Sequence, residues 1–233
     1  MINPKKILPI IAFGMLIGLA FFFYRTFRTS SARSPMVWKF LSDPAKNQNL
    51  VIKAGTRCGS SPFIFPTTGM AGYLWDDSFK VGKRHQGVDI FAGTDIGQTE
   101  VIAAYAGFLT RLPDWKSSVI VRIPTDPLLP GRQIWVYYTH MADAEGNSYI
   151  SENFPPGTSE KPVDQGAFLG FQGDYSGDPN NPVGVHLHIS VVIDDGTGHF
   201  KNELEIGNTL DPSPYLGLDL NAQKNPDRIP VCK

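Results

Sequence analysis

Few features of this sequence point to a nucleic-acid partner, a thiol site or a long-helix fold. Its 21 lysines and arginines against 22 acidic residues give a net charge of −1. The body of the chain holds no basic cluster, so the electrostatic footprint of a nucleic-acid binder is missing. Only two cysteines are present, and no histidine lies near Cys58 in sequence to activate it as a nucleophile. No His-Glu-x-x-His motif occurs to supply a carboxylate general base. Long helical periodicity, internal repeats and low-complexity tracts are absent as well. What the chain has instead is 23 glycines and 19 prolines, a composition that favours short strands and turns. Its 233 residues suffice for one ordinary domain with extra segments.

The N-terminus stands apart. Lys5 and Lys6 precede an apolar run from Ile7 to Tyr24, and Arg25, Arg28 and Arg33 follow it. As a helix this run is roughly 27 Å long, close to the ~30 Å hydrocarbon core. We read residues 1–24 as a retained single-pass membrane anchor. The alternative is a cleaved signal peptide ending near Ser30-Ser31-Ala32, but the run is long for one and two arginines intervene. The balanced flanking charges do not fix orientation. Residues 25–57 are polar, with a few hydrophobes (Val37, Trp38, Phe40, Leu41), and read as a linker. Residues 58–233 read as the folded domain. Cys58 and Cys232 bracket it, and outside the cytoplasm such a pair is expected to bridge. The long loop so closed corresponds to about 4–5 kcal/mol of chain entropy. Two unrelated thiols are the alternative.

Strand patterns fill the body. Glu100 to Leu109 reads as a strand broken by Gly107, and Ser118 to Ile123 with Gln133 to Tyr138 as a long-looped hairpin. Val185 to Ile193 is the clearest strand. Its alternation puts His186, His188 and Ser190 on one face and Val185, Leu187, Ile189 and Val191 on the other. The two imidazoles then start roughly 7 Å apart, so they serve neighbouring functions without having to share one ion.

Four of the five histidines fall into three motifs: His85-x-x-x-Asp89, Tyr138-x-His140-Met141 and His186-x-His188. Histidine is the commonest metal ligand and the side chain best suited to proton transfer near neutral pH. Three ligands plus an open position make a catalytic zinc site. His85 and Asp89 would lie about 13 Å apart in an extended strand, but Gly87 between them lets the chain bend so that they converge. His199, in Thr197-Gly198-His199-Phe200, reads as a solvated loop histidine.

Together the three motifs resemble the signature of the lysostaphin-type, or LytM-type, zinc metalloendopeptidases. Gly93, Gly97, Ala103-Ala104-Tyr105-Ala106-Gly107, Gly166 and Gly170-Phe171-Gln172-Gly173 extend the likeness, which covers roughly residues 62 to 193. Ile189-Ser190 departs from it, since the family usually has an aromatic and an acid there, and the loop from Gly173 to Gly184 is longer than usual. The resemblance implies a mostly β, antiparallel barrel-sandwich hybrid. It implies one Zn2+ per chain held by His85, Asp89 and His188, with His140 and His186 as the catalytic pair. It implies a hydrolase that cuts peptide bonds in peptidoglycan cross-links or stems, outside a bacterial cell membrane or, if the anchor is cleaved, secreted. The alternatives are a non-catalytic cell-wall-binding or regulatory module on the same fold, and a cysteine hydrolase using Cys58.

Overall fold

The computed structural model describes residues 31–80 and 83–232, and within them the chain forms twelve short strands and few helical turns. Helix α1 spans Ser34–Ser42 and leads into a 3₁₀ helix, Pro44–Leu50. Then come β1 (Met70–Tyr73), β2 (Ser78–Lys80), β3 (Lys83–Arg84), β4 (Val88–Phe91), β5 (Glu100–Ile102) and β6 (Gly107–Thr110). They are followed by β7 (Val119–Ile123), β8 (Ile134–Thr139), β9 (Lys161–Val163), β10 (Phe168–Phe171) and β11 (Leu187–Ile193). A 3₁₀ turn, Ile206–Asn208, precedes β12 (Thr209–Leu210) and α2 (Ser213–Leu216).

The main sheet runs β1-β4-β11-β8-β7-β6-β9, with β12 also on β11, and every pairing in it is antiparallel. Among the described residues no pairing joins β1 to β9, so the sheet is not closed into a barrel. Period-two alternation sets its two faces. Leu187, Ile189 and Val191 of β11, Val136 and Tyr138 of β8, and Val119 and Val121 of β7 enter the main core. Val101 of β5 and Leu169 of β10, a small two-stranded sheet, cover the same core. The opposite face carries Ile120, Trp135, Tyr137 and Val192, with Trp115 and Phe200 packed against them.

Three boundaries differ from the sequence reading. Glu100 to Leu109 is two strands in two sheets, because the chain turns at 103–106. Strand β11 begins at Leu187, and His186 forms only an isolated bridge to Gly173. The segment 25–57 is not a free linker where it is described. Val37 and Phe40 of α1 pack on Met70 and Phe91. Just before the helix, Arg33 is 1% exposed and donates to the carbonyls of Gly72 (2.6 Å), Asn225 (2.9 Å) and Arg228 (2.7 Å). A buried guanidinium with three carbonyl partners is a fixed point, since an unsatisfied charge there costs several kcal/mol. The expected anchor, residues 1–24, lies outside the described residues, among which no helix is long and apolar enough to cross a membrane. Cys58 and Cys232 are joined, with Cα atoms 5.2 Å apart.

Candidate metal and catalytic site

Strand register brings the motifs together. On β4 and β11, Asp89 lies opposite His188, and on β8 Thr139 lies opposite His188 from the other side. His85 enters from the bend before β4, its amide donating to Asp77 O (2.8 Å) and its carbonyl accepting from Asp76 N (2.8 Å). Because the chain leaves the extended path at 85–87, His85 Nε2 reaches 3.1 Å from Asp89 Oδ1. His188 Nδ1 lies 2.8 Å from the same oxygen and 3.0 Å from His85 Nε2.

Gly87 works by close approach. A Cβ there would sit 2.2 Å from Ile189 O and 2.8 Å from His188 Nε2. Only a residue without a side chain lets the bend lie against β11.

The tautomers follow from backbone acceptors, since a carbonyl can only accept. His85 Nδ1 donates to Leu74 O at 2.9 Å, so Nε2 faces Asp89 and His188 as a lone pair in the neutral ring and as a donor to Asp89 in the imidazolium. His140 Nδ1 donates to Tyr175 O at 2.6 Å, and His186 Nδ1 donates to Gly184 O. Both of these rings therefore carry their lone pair on Nε2. The two rings lie 4.5 Å apart, and His186 stacks on Phe91 at 5.0 Å. His186 Nε2 comes within 3.5 Å of Asp89 Oδ1. His140 sits just past β8 with φ of 72°, a left-handed conformation costly for a residue with a side chain.

The electrostatics are those of a crowded, buried cluster. Burial pushes the Asp89 carboxyl up, but the charges of His85 and His186 and hydrogen bonds from His188 and His85 outweigh it and hold it well below the usual range. Burial pulls His85 down, and Asp89 together with the Leu74 carbonyl reverses this to a net rise. His188 is lowered, chiefly by burial. His140 falls to about 3, through burial first and then the charges of His186 and His188. Two imidazole nitrogens and one carboxylate oxygen, all within 4.8 Å of one another, form a group that could hold a metal ion. The two nitrogens lie 3.0 Å apart beside the Asp89 carboxylate, a spacing that needs a proton or a cation between them. An N/O set with no thiolate suits zinc.

These residues line one side of a cavity of about 620 Å³. Ser117, Ser118, Tyr137 and Thr139 line it too, and Ser118 Oγ links Tyr137 OH (2.9 Å) to Thr139 Oγ1 (2.6 Å). Ser190, where the resemblance leads one to expect an acid, has a buried hydroxyl with no hydrogen-bond partner among the described residues. His199 lies in an exposed turn beyond this cavity, contacting Thr197. The cavity's other walls were not legible as site residues: Trp38 and Leu41 from α1, and Glu203 and Leu204 after the β11 turn. The spacing of Val37, Phe40 and Leu41 was the available signal, since it is helical. The carbonyls of Leu74, Tyr175 and Gly184 leave no trace in residue type.

No family model matches the chain, and no curated protein matches it. Solved structures do. Among them are a LytM protein and an M23 protein. A LytM protein of Ruminococcus gnavus, provisionally named a glycyl-glycine endopeptidase, is 24% identical over 56% of this chain and 45% of its own, with a TM-score of 0.36. The catalytic domain of a variant of the prophage-encoded M23 protein EnpA from Enterococcus faecalis is 17% identical over 66% of this chain and 98% of its own, TM-score 0.38. Csd3 of Helicobacter pylori is 19% identical over 71% of this chain and 32% of its own, TM-score 0.34. This chain thus spans less than half the length of the first and third of these. The likenesses are distant, and the functional reading rests on the side-chain geometry.

Proposed function

We propose that the chain is a zinc-dependent endopeptidase of the lysostaphin type, on a barrel-sandwich-hybrid β fold, that hydrolyses peptide bonds in peptidoglycan cross-links or stems. The observation that carries this is the convergence of His85 Nε2, Asp89 Oδ1 and His188 Nδ1 beside two further imidazoles with Nε2 lone pairs. His85, Asp89 and His188 would hold the ion. Bound zinc supplies Lewis-acid polarisation of the scissile carbonyl and a lowered pKa for water.

The rest falls to the chain's own groups. His140 and His186 are held by Tyr175 O and Gly184 O so that Nε2 of each is the basic nitrogen. One accepts a proton from the attacking water, and the imidazolium then returns it to the leaving amine. The other donates to the oxyanion once it is protonated. Burial and the neighbouring imidazoles depress His140 to about 3 in the metal-free protein, so its Nε2 is unprotonated at physiological pH.

The apolar run Ile7–Tyr24 would hold this domain to the membrane on the extracytoplasmic side. Because Arg33 is fixed in the fold, only residues 25–32 then lie between the run and Arg33, a covalent reach of about 30 Å at most. The reading is tested with purified peptidoglycan: zinc-loaded protein should release new peptide termini, identified by mass spectrometry, and chelation should stop it. Metal-independent cleavage, or none by fully metallated protein, contradicts it.

A further inference from the structure

Two large apolar side chains at the rim of this cavity face solvent. Trp38 is 70% exposed and Leu204 is 69% exposed, the two most exposed large hydrophobics among the described residues. Both line the cavity that holds His85, Asp89 and the histidine pair. Neither position is loose. Trp38 stands on α1, whose Val37 and Phe40 are buried against β1 and β4. The Leu204 backbone is tied to the metal-side bend, because Gln86 Nε2 donates to Leu204 O at 2.6 Å. Exposed apolar groups held in place around a pocket mark a surface that binds something.

The charge pattern says what. Among the described residues no lysine or arginine lines the cavity. Its lining acids are Asp89, which is committed to three histidines, and Glu203. Glu203 forms no ion pair among the described residues. Its charge is felt across the cavity at Tyr137, where burial raises the phenol most and Glu203 adds to the rise. At this rim, away from the metal ligands, an acidic side chain would meet the Glu203 carboxylate and no lysine or arginine of the described residues. A long aliphatic stem ending in an ammonium group would meet an indole, a leucine and a carboxylate in one place.

We propose that Trp38, Leu204 and Glu203 form the subsite that selects the peptide: a side chain with an aliphatic stem and a terminal amine, clamped between the two apolar groups with its ammonium at Glu203. This deepens the peptidase reading and rests on it only for the claim that the bound peptide is then cut.

The test separates binding from cleavage. Full-length, zinc-loaded protein in detergent, carrying His140→Ala to prevent turnover, is titrated with end-blocked pentaglycine peptides whose central residue is lysine, norleucine, glycine or glutamate. Lysine should bind tightest. Norleucine should follow within about 5-fold, the scale of a partly exposed ion pair. Glycine should be about 10-fold weaker than norleucine, the scale of one apolar side chain removed from water. Glutamate should be weakest. Trp38→Ala or Leu204→Ala should shrink the norleucine-to-glycine ratio, and Glu203→Gln should erase the lysine-to-norleucine ratio while leaving norleucine unchanged. Glutamate binding as tightly as lysine, ratios that survive all three substitutions, or no binding of any peptide overturns the subsite. Wild-type protein that cuts neither these peptides nor peptidoglycan sinks the peptidase reading without altering the affinity order.

Discussion

Two glycines without unusual backbone angles should separate metal binding from catalysis. At Gly87 an added Cβ would lie 2.2 Å from Ile189 O and 2.8 Å from His188 Nε2. Ordinary contact begins near 3.4 Å, so the 85–87 bend and β11 must part by about 1 Å. Metal–ligand distances tolerate only about 0.2 Å, and His85 and His188 sit on the two sides of that gap. At Gly173 the added Cβ would lie 2.1 Å from Ala142 O and 2.7 Å from His140 O, between His140 and the bridge to His186. Both Gly87→Ala and Gly173→Ala should lose about 1–3 kcal/mol of stability through overpacking. Beyond that they should diverge. Gly87→Ala should weaken zinc affinity by at least about 10–100-fold, read by chelator competition. Gly173→Ala should keep near-parental zinc affinity but lose about 100-fold in turnover, the effect of misplacing catalytic groups by an ångström. A folded Gly87→Ala protein with parental zinc affinity would refute the reasoning for the ligand side, and a fully active Gly173→Ala protein would refute it for the catalytic side.

Opening the bridge by Cys58→Ser should cost about 4–5 kcal/mol in denaturant unfolding, given a sequence separation of 174; a loss below about 1 kcal/mol would contradict the entropic reasoning. In metal-free protein His140 is depressed from 6.5 to about 3, so the unfolded chain binds a proton that the folded one refuses. Its stability contribution is therefore full above about pH 6.5 and is lost as pH falls towards 3. Thermal melts should show that slope, and His140→Ala should flatten it; equal slopes would count against the burial of His140. N-terminal sequencing of membrane-associated protein should find the apolar run attached, whereas a mature terminus at Arg33 would show cleavage.

The site was more legible than its surroundings for a physical reason. Alternation on β11 fixes which way His188 points, His186 is placed just before it by the bridge to Gly173, and motif spacing fixes which residues are available. Convergence of His85 with Asp89 needed only a bend, which Gly87 marks, though the structure shows that its value lies in close approach to Ile189 rather than in a left-handed turn. The hidden parts depend on contacts distant in sequence. Arg33 looks like a flanking charge until Gly72, Asn225 and Arg228 supply its acceptors. Trp38 sits in a polar stretch, and nothing local shows that α1 would pack on β1 and become a wall of the cavity. The carbonyls that set the histidine tautomers carry no residue identity.

His186 and His188 share a sheet face and both approach Asp89, at 3.5 Å and 2.8 Å, yet they are assigned different work. The most direct test of the central claim is zinc stoichiometry and peptidoglycan hydrolysis measured together for His188→Ala and His186→Ala. The prediction is that His188→Ala loses both metal and activity, while His186→Ala keeps one zinc per chain and loses hydrolysis by at least about 100-fold. Zinc lost from His186→Ala and retained in His188→Ala would contradict the assignment.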